Sequence, residues 1–170
     1  MTRKHITIYT DGSAIGNPGP GGYGVVLRYG GHVRELSGGF RWTTNNRMEI
    51  LAAIEALRAL NEPCTVTLYS DSQYLVDAIT KGWVKRWQSK GWMRTKDERA
   101  LNVDLWLQLL PLLEEHDVTF VWVRGHAGHP DNERCDVLAK QAAGKQDLPP
   151  DEIYEAEQAM RATRPLFSQA

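Results

Sequence analysis

His5-Ile6-Thr7-Ile8-Tyr9-Thr10, followed by Asp11-Gly12-Ser13, alternates with period two, is rich in β-branched and aromatic residues, and reads as a strand that ends on an acid. Thr65-Val66-Thr67-Leu68-Tyr69 repeats the pattern and runs into Ser70-Asp71-Ser72. Both strands close on Tyr-(Thr/Ser)-Asp-(Gly/Ser). In open α/β sheets, ligand sites lie beyond the carboxyl ends of strands. Two such endings side by side would bring two carboxylates to one sheet edge.

Working outward, Ser13–Gly22 is rich in glycine and proline and reads as a loop. Tyr23–Tyr29 and His32–Arg41 read as strands joined at Gly30-Gly31. Asn46–Leu60 repeats apolar residues at three and four, through Ile50, Ala53, Ile54, Leu57 and Leu60, and is a helix that Pro63 ends. Ser72–Thr80, Trp83–Lys90 and Val103–Leu113 are further helices, Val118–Val123 a strand, Arg124–Pro130 a loop and Asn132–Ala143 a helix. This order predicts an α/β fold. Three strands form an antiparallel meander, two return after helices, and together they make a mixed five-stranded sheet with helices packed on it.

A chain of 170 residues fits one domain and is long enough to fold without disulfide or metal staples. Two cysteines, Cys64 and Cys135, make no disulfide framework, and the N-terminus enters the first strand without a signal-peptide core. No run of 18 apolar residues occurs, so no membrane partner is expected and the cytoplasm is the expected compartment. The net charge of −1 conceals a basic stretch: residues 81–99 carry seven basic and two acidic residues, a net of +5. Beyond Gly144 the apolar pattern weakens. Leu148-Pro149-Pro150 reads as a linker and 145–170 as a polar tail, loosely held or disordered, behind a domain over 1–144.

Each candidate acid has an ordinary explanation. Asp11-Gly12 suits a hairpin turn. Asp71 suits a helix cap, although Ser70 and Ser72 can do that work. Asn46 and Glu49 have capping-box spacing, yet Glu49 also lies in line with the buried stripe of its helix. Asp136, in Asn132-Glu133-Arg134-Cys135-Asp136, suits a helix macrodipole, but it shares a face with Ala139 and Ala143, which would let that helix lie close to the sheet. The conjunction is what shifts the balance. Four acids from four segments can converge on one edge, and clustered like charges are tolerable mainly around divalent cations. Oxygen-only ligands favour Mg²⁺ or Mn²⁺. Zinc would recruit His126, His129 and Cys135, which lack the usual ligand spacing. A two-metal carboxylate site implies in-line displacement at phosphorus, with His126, between Gly125 and Gly128, placed to move protons.

Taken together, Tyr9-Thr10-Asp11-Gly12-Ser13, Asn17-Pro18-Gly19, Thr43-Thr44-Asn45-Asn46-Arg47-Met48-Glu49, Tyr69-Ser70-Asp71-Ser72-Gln73-Tyr74, Gly125-His126-Ala127-Gly128 and Asn132–Asp136 resemble bacterial-type ribonuclease H, type 1, over roughly residues 4–144. The resemblance implies a ribonuclease H-like sheet with helices on both faces. It implies a metal-dependent endonuclease that hydrolyses the RNA strand of RNA–DNA hybrids, leaves 3′-hydroxyl and 5′-phosphate ends, and has no strong sequence specificity. It assigns Asp11, Glu49, Asp71 and Asp136 to two Mg²⁺ ions, with Mn²⁺ a possible substitute, and assigns His126 to turnover. Asn17, Asn45, Asn46 and Gln73 match contacts to the hybrid minor groove, and Thr44 matches a DNA-phosphate contact. No obligate protein partner is implied, and a monomer is expected.

The segment Gly82–Trp92 resembles the family's basic substrate handle, which assigns Lys85, Arg86, Lys90 and Trp92 to the nucleic acid. Trp83 and Trp87, four apart, are as well explained by a core cluster with Trp106. Two other functions stay open at this point. One is a DNA-processing relative on the same fold, transposase-like or junction-resolving, against which the absence of an added DNA-binding domain speaks. The other is a non-catalytic hybrid-binding module, against which the full set of acids speaks.

Overall fold

The structure, a computed structural model, describes residues 2–163. The alternating strand is its centre. β1 (His5–Ala14) points Ile6 and Ile8 into the main core and Tyr9 to the opposite face, against Val26, Cys135 and Leu138. β2 (Gly19–Tyr29) and β3 (His32–Thr43) complete an antiparallel meander, and β4 (Thr65–Ser70) and β5 (Asp117–Trp122) add in parallel on the other side. The order β3-β2-β1-β4-β5 is the expected mixed five-stranded sheet.

The remaining elements are α1 (Asn45–Arg58), α2 (Gln73–Thr80), α3 (Trp83–Ser89), α4 (Val103–Glu115), α5 (Pro130–Ala143) and α6 (Glu152–Thr163). α1 and α5 cover opposite faces of the sheet. The glycines of β2 show how closely. A side chain at Gly21 would meet Thr43 and Met48 on the α1 side, whereas one at Gly22 or Gly24 would overlap the backbone of α5 at Ala139 or Cys135. The residues read as a loop, Ser13–Gly22, are therefore largely strand, and the connection shrinks to Ile15–Pro18. Glycine there marks close approach of a helix rather than a turn.

The tail also departs from expectation. The Pro149 carbonyl accepts from the Arg41 amide at 2.9 Å, and α6 lies against β3. Asp151 is buried and paired to the buried Arg47, whose guanidinium also holds Asp104 and faces the Tyr154 ring. Burial opposes the Arg47 charge, but the hydrogen bonds that Arg47 donates to Asp104 and Asp151 outweigh it and raise its pKa. Charge complementarity, rather than an apolar stripe, docks this segment. The part of the tail beyond Thr163 lies outside the described residues. Among the described residues, no helix is long and apolar enough to cross a membrane.

Candidate active site

β1 and β4 are parallel neighbours in register, with Tyr9 opposite Tyr69 and Thr10 opposite Ser70. The two tyrosine rings stack at 4.8 Å. The next residue on each segment is an acid, so Asp11, still within β1, and Asp71, just past the end of β4, lie side by side. α1 supplies the third. Its cap is Thr44, whose Oγ1 accepts from the Arg47 amide at 3.1 Å, so Glu49 is not part of a capping box. The Glu49 carboxylate instead accepts from the Gly12 amide. The same amide donates to Asp11 Oδ1 at 2.8 Å. A side chain at Gly12 would overlap the backbone of Met48 and Glu49, so glycine is what lets α1 approach. Asp71 is likewise free of capping, since Ser72 Oγ accepts from the Leu75 amide at 3.1 Å.

One carboxylate oxygen from each of Asp11, Glu49 and Asp71 lies within 4.8 Å of the others. Burial, the hydrogen bond to Asp11 and the charges of Asp11 and Asp71 push the Glu49 carboxyl well above its ordinary range. Burial likewise pushes Asp11 up to about 7, with the Asp71 charge adding to the rise. Three carboxyls gathered against such a penalty, with oxygen the only donor offered, are a donor set suited to hard divalent cations. Among the described residues, no histidine or cysteine joins this group.

Asp136 lines the same open cleft, of about 360 Å³, but stands outside the trio. Its Oδ2 is 3.0 Å from Lys140 Nζ, one helical turn on. Asn45, Asn46 and Gln73 line the cleft too. Asn17 accepts from the Asn45 amide at 2.9 Å, and Asn45 Oδ1 accepts from the Ala14 amide, which ties the β1–β2 connection to the start of α1. His126 is exposed, with φ 57°, on the loop between β5 and α5. Its neighbour Gly125 packs on the Asp71 carboxylate, where a Cβ would come within 2.7 Å of Oδ2.

Lys85, Arg86 and Lys90 are exposed on and just after α3 and are not among the residues lining the cleft. Trp92 is half-buried and packs partly on the main core. Trp83, Trp87 and Trp106 form the expected aromatic chain, with centroids 6.4 and 6.3 Å apart. Sequence reading missed three supports of the site. These are the Gly12 amide, the Ser70 hydroxyl bonded to Glu49 at 3.5 Å, and Lys140. Only Lys140 carried a readable signal, its i,i+4 spacing from Asp136.

The RNase H family model matches residues 3–144. The chain is 66% identical over 152 residues to the ribonuclease H of Syntrophus aciditrophicus, covering 89% of this chain and 88% of that protein. It is 64% identical to the ribonuclease H of Desulforamulus reducens, covering 87% and 93%. Among solved structures it resembles a type 1 RNase H with the type 2 active-site motif, with TM-score 0.77, 34% identity and coverage of 95% and 85%. It also resembles an RNase H1 solved in complex with RNA/DNA hybrid, with TM-score 0.61, 29% identity and coverage of 81% and 96%.

Proposed function

The chain belongs to the ribonuclease H family, and from that premise we propose how its own residues carry out the reaction. It is an endoribonuclease that hydrolyses the RNA strand of RNA–DNA hybrids, and its family uses divalent metal. In our reading the metal is Mg²⁺, as two ions held by Asp11, Glu49, Asp71 and Asp136. The observation that carries this is the gathering of three carboxyl oxygens within 4.8 Å, from Asp11 in β1, Asp71 just past β4 and Glu49 in α1. When bound, the ions supply activation of the attacking water and stabilisation of the leaving oxygen in an in-line displacement at phosphorus.

The remaining work belongs to the chain's own residues. Gly12 N–H orients Asp11 and Glu49, so both present their free oxygens to the cleft. The amides of Asn45, Asn46 and Gln73 can donate to and accept from the 2′-hydroxyls and base edges of the hybrid minor groove. Asn17 fixes the turn that presents them. Thr44 and the exposed Lys85, Arg86 and Lys90, with Trp92 beside them, bind backbone without reading bases, so cleavage has no strong sequence specificity. His126 moves a proton at the scissile phosphate, leaving 3′-hydroxyl and 5′-phosphate ends. The enzyme works as a monomer in the cytoplasm, with 1–144 as its catalytic part.

The test is incubation with labelled RNA–DNA hybrid, double-stranded RNA and double-stranded DNA, with and without Mg²⁺. Only the hybrid should be cut, only with metal, and not by Asp71→Asn despite an unchanged circular dichroism spectrum. Full turnover by Asp71→Asn would overturn the assignment.

A further inference from the structure

The tail makes a contact that the nuclease reading does not use. Asp151 is 6% exposed, and its carboxylate grips two residues of another segment. Oδ2 accepts from Thr43 Oγ1 and from Arg47 Nε, each at 2.7 Å, and Oδ1 accepts from Arg47 Nη2 at 2.9 Å. Between those residues lie Thr44, Asn45 and Asn46, and two residues past Arg47 lies Glu49. The surroundings reinforce the grip. The Pro149 carbonyl holds the Arg41 amide, Glu155 pairs with Arg41 at 2.8 and 3.0 Å, and Tyr154 stacks on the Arg47 guanidinium at 5.6 Å. The far side of that guanidinium is held by Asp104 at 2.7 and 2.9 Å.

We infer that Asp151 is a positioning residue: by clasping Thr43 and Arg47, the C-terminal segment sets the geometry of the 44–46 turn that receives the hybrid. This deepens the reading above and rests on it. The physical case is one of constraint. The turn between β3 and α1 has to present a hydroxyl and two amides in a fixed arrangement. Its outer side is the Asn17 contact, and its inner side is anchored by a carboxylate from a segment about a hundred residues away. Removing that carboxylate leaves the Thr43 hydroxyl without this acceptor and frees one half of the Arg47 fork. Small misplacements of positioned groups have large effects on binding and turnover. The coupling is also reciprocal, so hybrid bound at the turn must stabilise the segment that positions it.

The experiment measures hybrid affinity in EDTA, where no cleavage occurs, for the full chain, Asp151→Ala and Ile6→Ala. All three are held well below their melting temperatures. Ile6→Ala opens a cavity at the far end of β1 and controls for lost stability alone. Asp151→Ala should weaken binding roughly tenfold, the equivalent of about one hydrogen bond. Ile6→Ala should leave binding unchanged. Equal affinity of Asp151→Ala and the full chain would overturn the inference, as would an equal loss in Ile6→Ala. Should Asp151→Ala not fold, hydrogen exchange on the unaltered chain decides. Amides of 151–156 should slow when the hybrid binds, and unchanged exchange overturns the inference. Failure of the unaltered chain to bind any hybrid is a separate result, and it would strike the reading of the turn itself.

Discussion

Asp11→Asn should make the metal-free protein more stable while abolishing cleavage. Asp11 is 5% exposed, and its carboxyl is raised from 3.8 to about 7. A pKa unit corresponds to about 1.4 kcal/mol, so ionising this group inside the fold costs up to about 4 kcal/mol. Part of that cost is shared with Glu49 through their mutual hydrogen bond, so a gain of about 2 kcal/mol is the reasonable expectation. For a chain of this size that amounts to roughly 4–8 °C in melting temperature. The sign follows from linkage. A carboxyl raised on folding contributes stability that is fully present below its unfolded pKa and is lost as pH rises through about 7. Asparagine does not titrate. The gain of the variant over the parent should therefore be near zero below the unfolded pKa of 3.8, grow as pH rises towards about 7, and level off by pH 8. Thermal unfolding in EDTA across that range measures it, and saturating Mg²⁺ should shrink or reverse the difference, because the parent has more metal affinity to gain from. A difference that does not vary with pH, or a parent more stable than the variant in EDTA at pH 8, would refute the account of a crowded carboxyl cluster.

Gly12→Ala should both destabilise and inactivate, because its Cβ would overlap the Met48 and Glu49 backbone and push α1 off the strand. Overpacking of this kind costs about 1–3 kcal/mol, seen as a melting-temperature loss of several degrees alongside the activity assay. His126→Ala should slow cleavage by ~10²–10⁴ without abolishing it, measured as kcat on hybrid with the fold unchanged. Replacing Lys85, Arg86 and Lys90 together by neutral residues should raise KM far more than it lowers kcat. Each lost phosphate contact should flatten the log–log salt dependence of binding by roughly 0.9 or somewhat less. A collapse of kcat at constant KM would instead put these residues in the catalytic assembly.

The parts of the molecule legible in the sequence are those where one physical demand dominates. Ile6 and Ile8 must alternate with polar neighbours to bury one sheet face, and that pattern survives any context. The pairing of Asp11 with Asp71 likewise follows from two strands in parallel register, although β1 runs on past Asp11 to Ala14. What was not legible depends on partners far along the chain. Gly21 and Gly22 look like turn residues until α1 is placed on one side of them and α5 on the other. Asn46 looks like a cap until the Thr44 side chain is seen to take the Arg47 amide. Asp151 looks like one acid among several in a polar tail, and only the fold reveals the buried arginine it answers.

The strand order has a consequence for when the enzyme becomes an enzyme. β1 is made first but ends up in the middle of the sheet, and its acid acquires neighbours from segments made progressively later. At synthesis rates of about 5–20 residues per second, Asp11 and Asp136 are made roughly 6–25 s apart. A nascent chain therefore carries the first of the proposed metal ligands throughout its synthesis without being able to cut a hybrid. The full set of acids exists only once α5 has closed over the glycines of β2, so the topology itself delays the chemistry until the chain is nearly complete.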